Sequence, residues 1–149
     1  PFYLYDMELL RRTVEEALSA ADRHGYMLHY ALKANNDSRI LELMRSYGLG
    51  ADCVSGNEVR AAVDAGFDPR GIVYAGVGKK DSEILYALGE GIFSFNCESR
   101  NELTVIDDLA GRLGMKADVA LRINPGVDAR THRHITTGRH ENKFGIARR

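Results

Sequence analysis

The sequence predicts an α/β fold built around a parallel β-sheet, and three observations support this prediction. Short β-prone runs recur five times along the 149 residues. Each run is separated from the next by a segment whose apolar residues repeat with helical periodicity. The runs begin 20 to 26 residues apart, which leaves room for one crossover helix between consecutive parallel strands. This alternation is typical of a doubly wound open sheet or of a (β/α)8 barrel, and the spacing alone leaves both open.

The five predicted strands are short, rich in apolar residues and separated by polar or glycine-containing segments. They are MLHYAL (27–32), GADCVS (50–55), GIVYAG (71–76), GIFSFN (91–96) and ADVALRI (117–123). A complete barrel typically needs about 250 residues, so five units in this chain would be the first part of one. Because the sequence starts and stops beside β-type segments, we expect it to belong to a longer polypeptide.

The helices are marked by their apolar faces and by the residues at their ends. The first two predicted helices have apolar residues at helical spacing, an aspartate or serine predicts the start of one helix, and serine followed by glutamate three residues later predicts the starts of two more. Glycine just beyond a periodic segment predicts a helix end. The starts are Asp37 or Ser38, Ser55 with Glu58, and Ser99 with Glu102, and the ends are Gly48, Gly66 and Gly114.

The composition is that of an ordinary soluble globular protein. Apolar residues make up 44% and charged residues 28%, and the formal net charge is −1, so nothing favours nucleic acid or an anionic membrane as a partner. No apolar stretch is long enough to span a bilayer, and none resembles a secretory signal. Cys53 and Cys97 lie within apolar runs, so we expect reduced, buried core thiols in a cytoplasmic protein, not nucleophiles.

Polar residues follow every predicted strand at its carboxyl end. In parallel α/β folds the loops and helix N-termini at that end form the ligand site, whereas the opposite ends here carry mostly glycine and ordinary loop residues. The sequence therefore predicts one shared site at the carboxyl ends. The residues concerned are Lys33 with Asn35, Asp52 with Ser55, Lys79, Asn96 with Glu98, and Arg122 with Asn124.

Several of these residues have a structural reading as well as a chemical one. Lys33, in HYALKAN (29–35), is either a solvated strand end or a partly desolvated amine that can attack an aldehyde. Asp52 is either a turn residue or a charged group of the site, and Glu58 is either half of a capping box or such a group. Arg122 lies in the apolar stretch VALRINP, where an unpaired charge is costly, so we expect a carboxylate partner or an anionic ligand.

Two familiar kinds of site are excluded or weak. GVGKKDS (76–82) fails the phosphate-loop pattern because Val73 and Lys80 stand where glycine and serine or threonine are needed, and no G-x-G-x-x-G motif lies between a strand and a helix. His132 and His134 provide two donors without a third cluster of ligands, so we predict no metal site.

Five stretches of the sequence resemble a known family in order and spacing. They are YALKANND (30–37), GADCVSGNEVRAAVDAGF (50–67), AGVGKKDSEI (75–84), FNCESRNEL (95–103) and LRINPGVDARTHRHITTGRHENKFGI (121–146). Together they resemble the diaminopimelate decarboxylases, members of the alanine-racemase-like and ornithine-decarboxylase-like group of pyridoxal phosphate enzymes. The last stretch is the most specific, because R-I-N-P is followed by T-H, T-G and K-F-G.

The resemblance implies a (β/α)8 TIM barrel of the alanine racemase-like type. Residues 1–149 would then be the N-terminal part of the pyridoxal-phosphate-binding barrel, with the remaining barrel strands and a C-terminal β domain absent. It makes Lys33 the lysine that forms the Schiff base with pyridoxal 5'-phosphate, and it places Asp52, Glu58 and Arg122 on the cofactor side. Residues 127–142 correspond to a loop near the active site, and Lys143 corresponds to a residue near the subunit interface.

The function implied by the resemblance is decarboxylation of meso-2,6-diaminopimelate to L-lysine by a cytoplasmic homodimer. Asn57 stands where the family more often has glycine, and His134 receives no role. Other cofactor-binding groups of the family come later than Arg149, so we expect this piece alone to be inactive; it could also associate to cover its open sheet edges. The alternatives are a related decarboxylase acting on ornithine, arginine or carboxynorspermidine, or a non-catalytic pyridoxal-phosphate-binding protein of the same fold.

Overall fold

The computed structural model describes residues 2–125 and 145–147. Five helices and a five-stranded parallel sheet alternate along the chain, and a second sheet consists of two short parallel strands. The strands of the main sheet are β1 His29–Ala31, β2 Gly50–Cys53, β3 Ile72–Tyr74, β4 Ser94–Cys97 and β5 Val119–Leu121. The helices are α1 Met7–Asp22, α2 Ser38–Ser46, α3 Gly56–Asp64, α4 Asp81–Glu90 and α5 Arg100–Arg112, and the small sheet pairs β6 Ile123–Asn124 with β7 Ile146–Ala147.

The strand order decides between the two architectures that the sequence left open. The order in the sheet is β1-β2-β3-β4-β5, so every strand pairs with its neighbour in the chain. A doubly wound sheet needs a point where the order reverses, and none occurs among the described strands. Right-handed crossovers between sequential neighbours place all the helices on one face, which is the arrangement in the wall of a barrel. The barrel-type fold is therefore confirmed for the first five units.

The predicted helix boundaries agree with the structure. Asp37, Ser55 and Ser99 are the N-cap residues of α2, α3 and α5, and each accepts a hydrogen bond from a backbone N–H in the first turn. The glycines at positions 48, 66 and 114 all have positive φ, as a residue that ends a helix in the left-handed conformation requires. Local signals therefore set these helices, independently of the sheet.

The core lies between the sheet and its helices, and the register shows which strand residues face it. Ala51 is aligned with Ile72, and Cys53 with Tyr74, and all four are buried. Because side chains alternate across a strand, the residue between the two on β2, Asp52, faces the opposite side of the sheet. This second side is the interior of the barrel wall, and it carries the polar residues described below.

None of the described helices is long and apolar enough to cross a membrane. The longest, α1, has 16 residues, fewer than the roughly 20 that a spanning helix needs.

Candidate active site at the carboxyl ends of the strands

A cavity of about 370 Å³ lies at the carboxyl ends of strands β2 to β5. Its volume is in the range of small-molecule sites, and its wall combines small apolar side chains with groups of both charges. The structure thereby brings Asp52 and Arg122 together, although they are 70 positions apart in the sequence. The lining residues are Asp52, Ala75, Asn96, Glu98, Ala120, Leu121 and Arg122.

Lys33 lies beside this cavity's edge of the sheet, although it is not one of the lining residues. It belongs to the 3₁₀ turn Leu32–Ala34 directly after β1, whose last residue, Ala31, is aligned with Asp52 on β2. The turn packs against β2 and α3. The Lys33 side chain is exposed, and within residues 2–125 and 145–147 its amine has no recorded hydrogen bond or ion pair.

Asn35 fixes the turn that carries Lys33. Its backbone carbonyl accepts a hydrogen bond from the Tyr30 hydroxyl (3.0 Å), and its side-chain carbonyl accepts one from the Asp37 N–H (2.9 Å). Its side-chain amide donates to the Tyr5 hydroxyl (2.8 Å). These bonds join β1, the start of α2 and the N-terminal segment, so the backbone at Lys33 is held although the Lys33 amine is not.

One carboxylate oxygen of Glu58 accepts a hydrogen bond at the start of α3. The Ser55 hydroxyl accepts a hydrogen bond from the Glu58 N–H (3.2 Å), and the Val54 N–H donates to Glu58 Oε2 (2.8 Å). The carboxylate therefore reaches one residue beyond the N-cap. This supports the structural reading of Glu58, which is not among the residues that line the cavity. Its role beside the cofactor stays a prediction.

Arg122 has the carboxylate partner that its sequence context predicts. Its Nη1 lies 3.2 Å from Glu98 Oε1, and the Glu98 side chain is only 3% exposed. The same carboxylate accepts hydrogen bonds from the Gly76 N–H (3.3 Å) and the Gly145 N–H (2.9 Å). Both glycines have positive φ, so the backbone can turn each N–H towards Glu98 without strain.

Lys79, the other lysine at a strand end, is unsuited to bind a ligand. Its side chain is 1% exposed, and its ammonium donates to the carbonyls of Gly76 (2.8 Å) and Asn96 (2.9 Å) and to the carboxylate of Glu102. The other Glu102 oxygen accepts the Glu98 N–H (2.9 Å). Lys79 is therefore a buried structural cation that ties the ends of β3 and β4 together.

Glu98 was predicted to lie at a strand end of the shared site but was given no role there, although the sequence contains a signal for one. The stretches DCVSGNE (52–58) and NCESRNE (96–102) share Cys, Ser, Asn and Glu at the same places, and both run from a strand into a helix. In both, the final glutamate reaches the N–H of the residue before the N-cap serine. That residue is Val54 in the first stretch and the buried Glu98 in the second. Because the cap of α3 forms with valine at this position, the cap of α5 does not need an acid there. The carboxylate of Glu98 is therefore available for another role.

Both cysteines are buried, as the sequence predicts. Desolvation raises the pKa of the Cys53 thiol to about 12, and the nearby Glu58 and Asp52 charges contribute. Burial also raises the pKa of Cys97, where Glu102 and Glu98 contribute and the Lys79 ammonium opposes the shift. Both thiols therefore stay protonated at neutral pH and are poor nucleophiles.

The described residues contain no group of three metal-ligating side chains. His132, His134, residues 127–142 and Lys143 lie outside the described residues, so the predictions made for them stay predictions.

Comparison with known proteins identifies relatives over the whole chain. The family described as "Pyridoxal-dependent decarboxylase, pyridoxal binding domain" matches residues 8–149. The diaminopimelate decarboxylase of Bacteroides thetaiotaomicron is 53% identical over 148 residues, which cover 99% of this chain and 38% of that protein. The chain thus spans well under half the length of this curated relative.

Solved structures show the same similarity in three dimensions. The crystal structure of Helicobacter pylori diaminopimelate decarboxylase complexed with L-lysine matches with a TM-score of 0.87 and 43% identity, covering 99% of this chain and 37% of that one. The Paramecium bursaria Chlorella virus arginine decarboxylase bound to agmatine matches with a TM-score of 0.75 and 24% identity, covering 92% and 35%. At that identity the second likeness concerns the fold alone.

Proposed function

We propose, because this chain belongs to the family of pyridoxal-dependent decarboxylases, that it is the N-terminal part of an enzyme that converts meso-2,6-diaminopimelate to L-lysine. The 53% identity to a diaminopimelate decarboxylase supports this substrate, as does the similarity to a related enzyme solved with L-lysine. The observation that carries the chemistry is the exposed amine of Lys33, which makes no recorded bond to any other described residue and follows β1 on the edge of the sheet where Asp52 and Arg122 share a cavity.

The described residues fit pyridoxal phosphate as a cofactor. An aldehyde needs a primary amine that is neither buried nor engaged in a salt bridge, and Lys33 meets both conditions within the part of the chain that the structure describes. The cavity beside it carries carboxylates from Asp52 and Glu98 and the guanidinium of Arg122. When bound, pyridoxal phosphate supplies an aromatic ring that takes up the electron pair released as the carboxylate leaves.

Each residue of the proposed site has a task that follows from its position. Lys33 holds the cofactor covalently through Nζ, on a turn that Asn35 keeps rigid. Asp52, on the inner face of β2, balances positive charge at the cofactor. Arg122 presents a fixed cation that suits an anionic group of the ligand. Glu58 is proposed to lie on the cofactor side through the oxygen that the helix start leaves unused.

We extend the proposal to the location and assembly of the complete protein. A net charge near zero, two buried free thiols and the absence of a spanning helix among the described residues fit a cytoplasmic enzyme. The assembly that we propose is a homodimer, and sedimentation of the complete protein would test it.

A related decarboxylase acting on ornithine, arginine or carboxynorspermidine is the second candidate, because the description of the matching family specifies pyridoxal-dependent decarboxylation without naming a substrate. The identities of 53% and 43% to the diaminopimelate decarboxylases of Bacteroides thetaiotaomicron and Helicobacter pylori favour diaminopimelate as substrate. A non-catalytic binding protein of the same fold is disfavoured by the 53% identity to a diaminopimelate decarboxylase, and the release of carbon dioxide would distinguish the two.

The decisive experiment uses the full-length protein that contains this chain. Incubation with pyridoxal phosphate, reduction with borohydride and peptide mass spectrometry should locate the cofactor on Lys33. Carbon dioxide should be released from meso-diaminopimelate and not from ornithine or arginine. Lys33→Ala should lower kcat/KM by at least about a thousandfold, whereas Lys80→Ala, which removes an exposed lysine from another loop, should not. Cofactor on a different lysine, or release from arginine alone, would refute the proposal.

A further inference from the structure

We propose that Glu98 is a positioning residue that fixes the guanidinium of Arg122 in the cavity at the strand ends. The proposal rests on the proposed function only in taking Arg122 to face the ligand. Glu98 would act through Arg122 and the surrounding backbone, without touching the reacting atoms.

The first argument is the hydrogen bonding of the Glu98 carboxylate. Oε1 accepts from Gly76 N–H and from Arg122 Nη1, and Oε2 accepts from Gly145 N–H. The three donors come from the segment after β3, from the segment between β5 and β6, and from the segment before β7. One buried carboxylate therefore sets the separation of three backbone segments around the cavity.

Glu98 also restricts the orientation of the Arg122 side chain. The Arg122 side chain is 39% exposed, and arginine has many rotamers of similar energy when it is not held. A charge-assisted hydrogen bond to a carboxylate that is itself 3% exposed selects one of them. The fixed end of the pair is therefore Glu98.

The third argument is that Glu98 is itself held by its neighbours. Its N–H donates to Glu102 Oε2, and Glu102 is paired with the buried ammonium of Lys79. Lys79 also donates to the carbonyl of Gly76, the residue whose N–H binds Glu98. Glu98, Glu102, Lys79 and Gly76 are thus joined in a ring of hydrogen bonds. A displacement of Glu98 would have to break several of these bonds at once.

The fourth argument is that the helix cap alone does not explain an acid at position 98. In the matching stretch 52–58, Val54 occupies the equivalent place, and the same Ser-x-x-Glu cap forms at the start of α3. The cap therefore works with an apolar residue there. The carboxylate at position 98 is explained by the donors that surround it on the cavity side.

The test is a double-mutant cycle between Glu98 and Arg122 in the full-length protein loaded with pyridoxal phosphate. In Glu98→Gln, the amide must turn its NH2 group towards donors on one side or the other, so Arg122 loses the charge-assisted bond that Glu98 contributes to its orientation. We expect Glu98→Gln and Arg122→Gln each to weaken cofactor affinity and kcat/KM by about tenfold to a hundredfold. The double variant should be no more than about threefold worse than Arg122→Gln alone, because the two residues act as one unit.

The matched control is Glu83→Gln. Glu83 is also a carboxylate that accepts backbone N–H groups, from Gly56 (3.1 Å) and Lys80 (3.0 Å), but no contact with Arg122 is recorded for it. Glu83→Gln should leave the cofactor affinity within about twofold of the parent's, and it should show no coupling to Arg122→Gln. Glu98→Asp keeps the charge on a shorter side chain, and it should recover part of the loss if Glu98→Gln does not fold.

Two outcomes would overturn the proposal: effects of Glu98→Gln and Arg122→Gln that multiply in the double variant, or a Glu98→Gln protein indistinguishable from the parent. The coupling can also be measured from the midpoint of urea unfolding of the cofactor-free protein, which requires no substrate. Coupled unfolding midpoints in a protein that releases no carbon dioxide would sustain the contact and refute only the proposed function. Uncoupled midpoints would refute the positioning role whatever the activity.

Discussion

Two lysines follow strands in equivalent parts of the fold, and their surroundings could hardly differ more. Lys33 follows β1 and Lys79 follows β3, and in each case the next strand leads into a helix that begins with the same Ser-x-Asn-Glu pattern. Lys79 is 1% exposed and bonded to two carbonyls and to Glu102. Lys33 is exposed, and the described residues record no bond to its amine.

The difference shows that position at a strand end does not by itself make a lysine reactive. An ammonium that neutralises a buried carboxylate cannot lose its proton or its partner without leaving that carboxylate unpaired. Only a lysine that the fold does not need is available for covalent chemistry. At Lys33 the fold holds the backbone, through Asn35, and among the described residues no bond engages the amine, as the proposed link to the cofactor requires.

The largest expected effect comes from making the same substitution at both lysines. Lys79→Met should lower the free energy of unfolding by about 3–5 kcal/mol, because it leaves Glu102 without its buried cation. Lys33→Met should change it by no more than about 0.5 kcal/mol in the cofactor-free protein, because an exposed side chain is replaced. Urea unfolding of both variants measures the two effects.

A second-site change checks the cause of the larger effect. Adding Glu102→Gln to Lys79→Met removes the unpaired charge, and it should recover more than half of the loss. Equal costs at both lysines, or no recovery, would contradict the assignment of Lys79 as a structural cation.

An intermediate effect is expected from the residue that holds the Lys33 turn. Asn35→Ala removes the bonds to the Asp37 N–H and the Tyr5 hydroxyl but keeps the backbone carbonyl that Tyr30 binds. We expect a loss of about 1–2 kcal/mol in the free energy of unfolding and a lower rate of covalent cofactor attachment. Tyr5→Phe, which removes one of the two bonds, is the control and should have the smaller effect. An Asn35→Ala protein with parental stability and attachment rate would show that the turn is held by other contacts.

The smallest effect concerns the cysteines that precede the two matching helix starts. Cys53 keeps its proton in the folded protein up to a pKa of about 12, whereas an unfolded thiol loses it near pH 9.0. The unfolded state therefore binds fewer protons above pH 9, and the free energy of unfolding falls as the pH rises towards 12, by roughly 0.4 kcal/mol between about pH 8 and pH 9 and more steeply beyond. Cys97 should contribute less, because the Lys79 ammonium stabilises its thiolate.

The measurement compares the alkaline dependence of unfolding in the parent, Cys53→Ala and Cys97→Ala. Cys53→Ala should remove more of the pH dependence than Cys97→Ala. The reverse order would contradict the expectation that burial raises the pKa of Cys53 more than that of Cys97.

Most of the fold was predictable because its signals are local. The N-cap residues Asp37, Ser55 and Ser99 and the glycines with positive φ act on the backbone within a few positions, so the sequence displays them directly. Strand order was not predictable from spacing, because both candidate architectures use the same units. Only the pairing of distant residues, such as Ala51 with Ile72, distinguishes them.

The site was predictable in part. Lys33, Asp52 and Arg122 were identified because they are polar residues at strand ends, and the carboxylate partner of Arg122 was expected from the cost of a buried charge. The comparison of stretches 52–58 and 96–102 marks Glu98 as an acid that the helix cap does not need, but its pairing with Arg122 depends on where two loops meet. The burial of Lys79 has the same origin, since its partner Glu102 lies 23 positions away on α5.

The uniform register of the sheet has a consequence for how the chain reaches its fold. His29 is aligned with Gly50, Ala51 with Ile72, and Val73 with Ser94, each 21 positions apart, and Phe95 is aligned with Val119, 24 positions on. The entropy lost on closing a loop grows only with the logarithm of its length. Each new strand therefore meets nearly the same modest kinetic barrier when it docks on its predecessor, and no single closure has to bring remote parts of the polypeptide together.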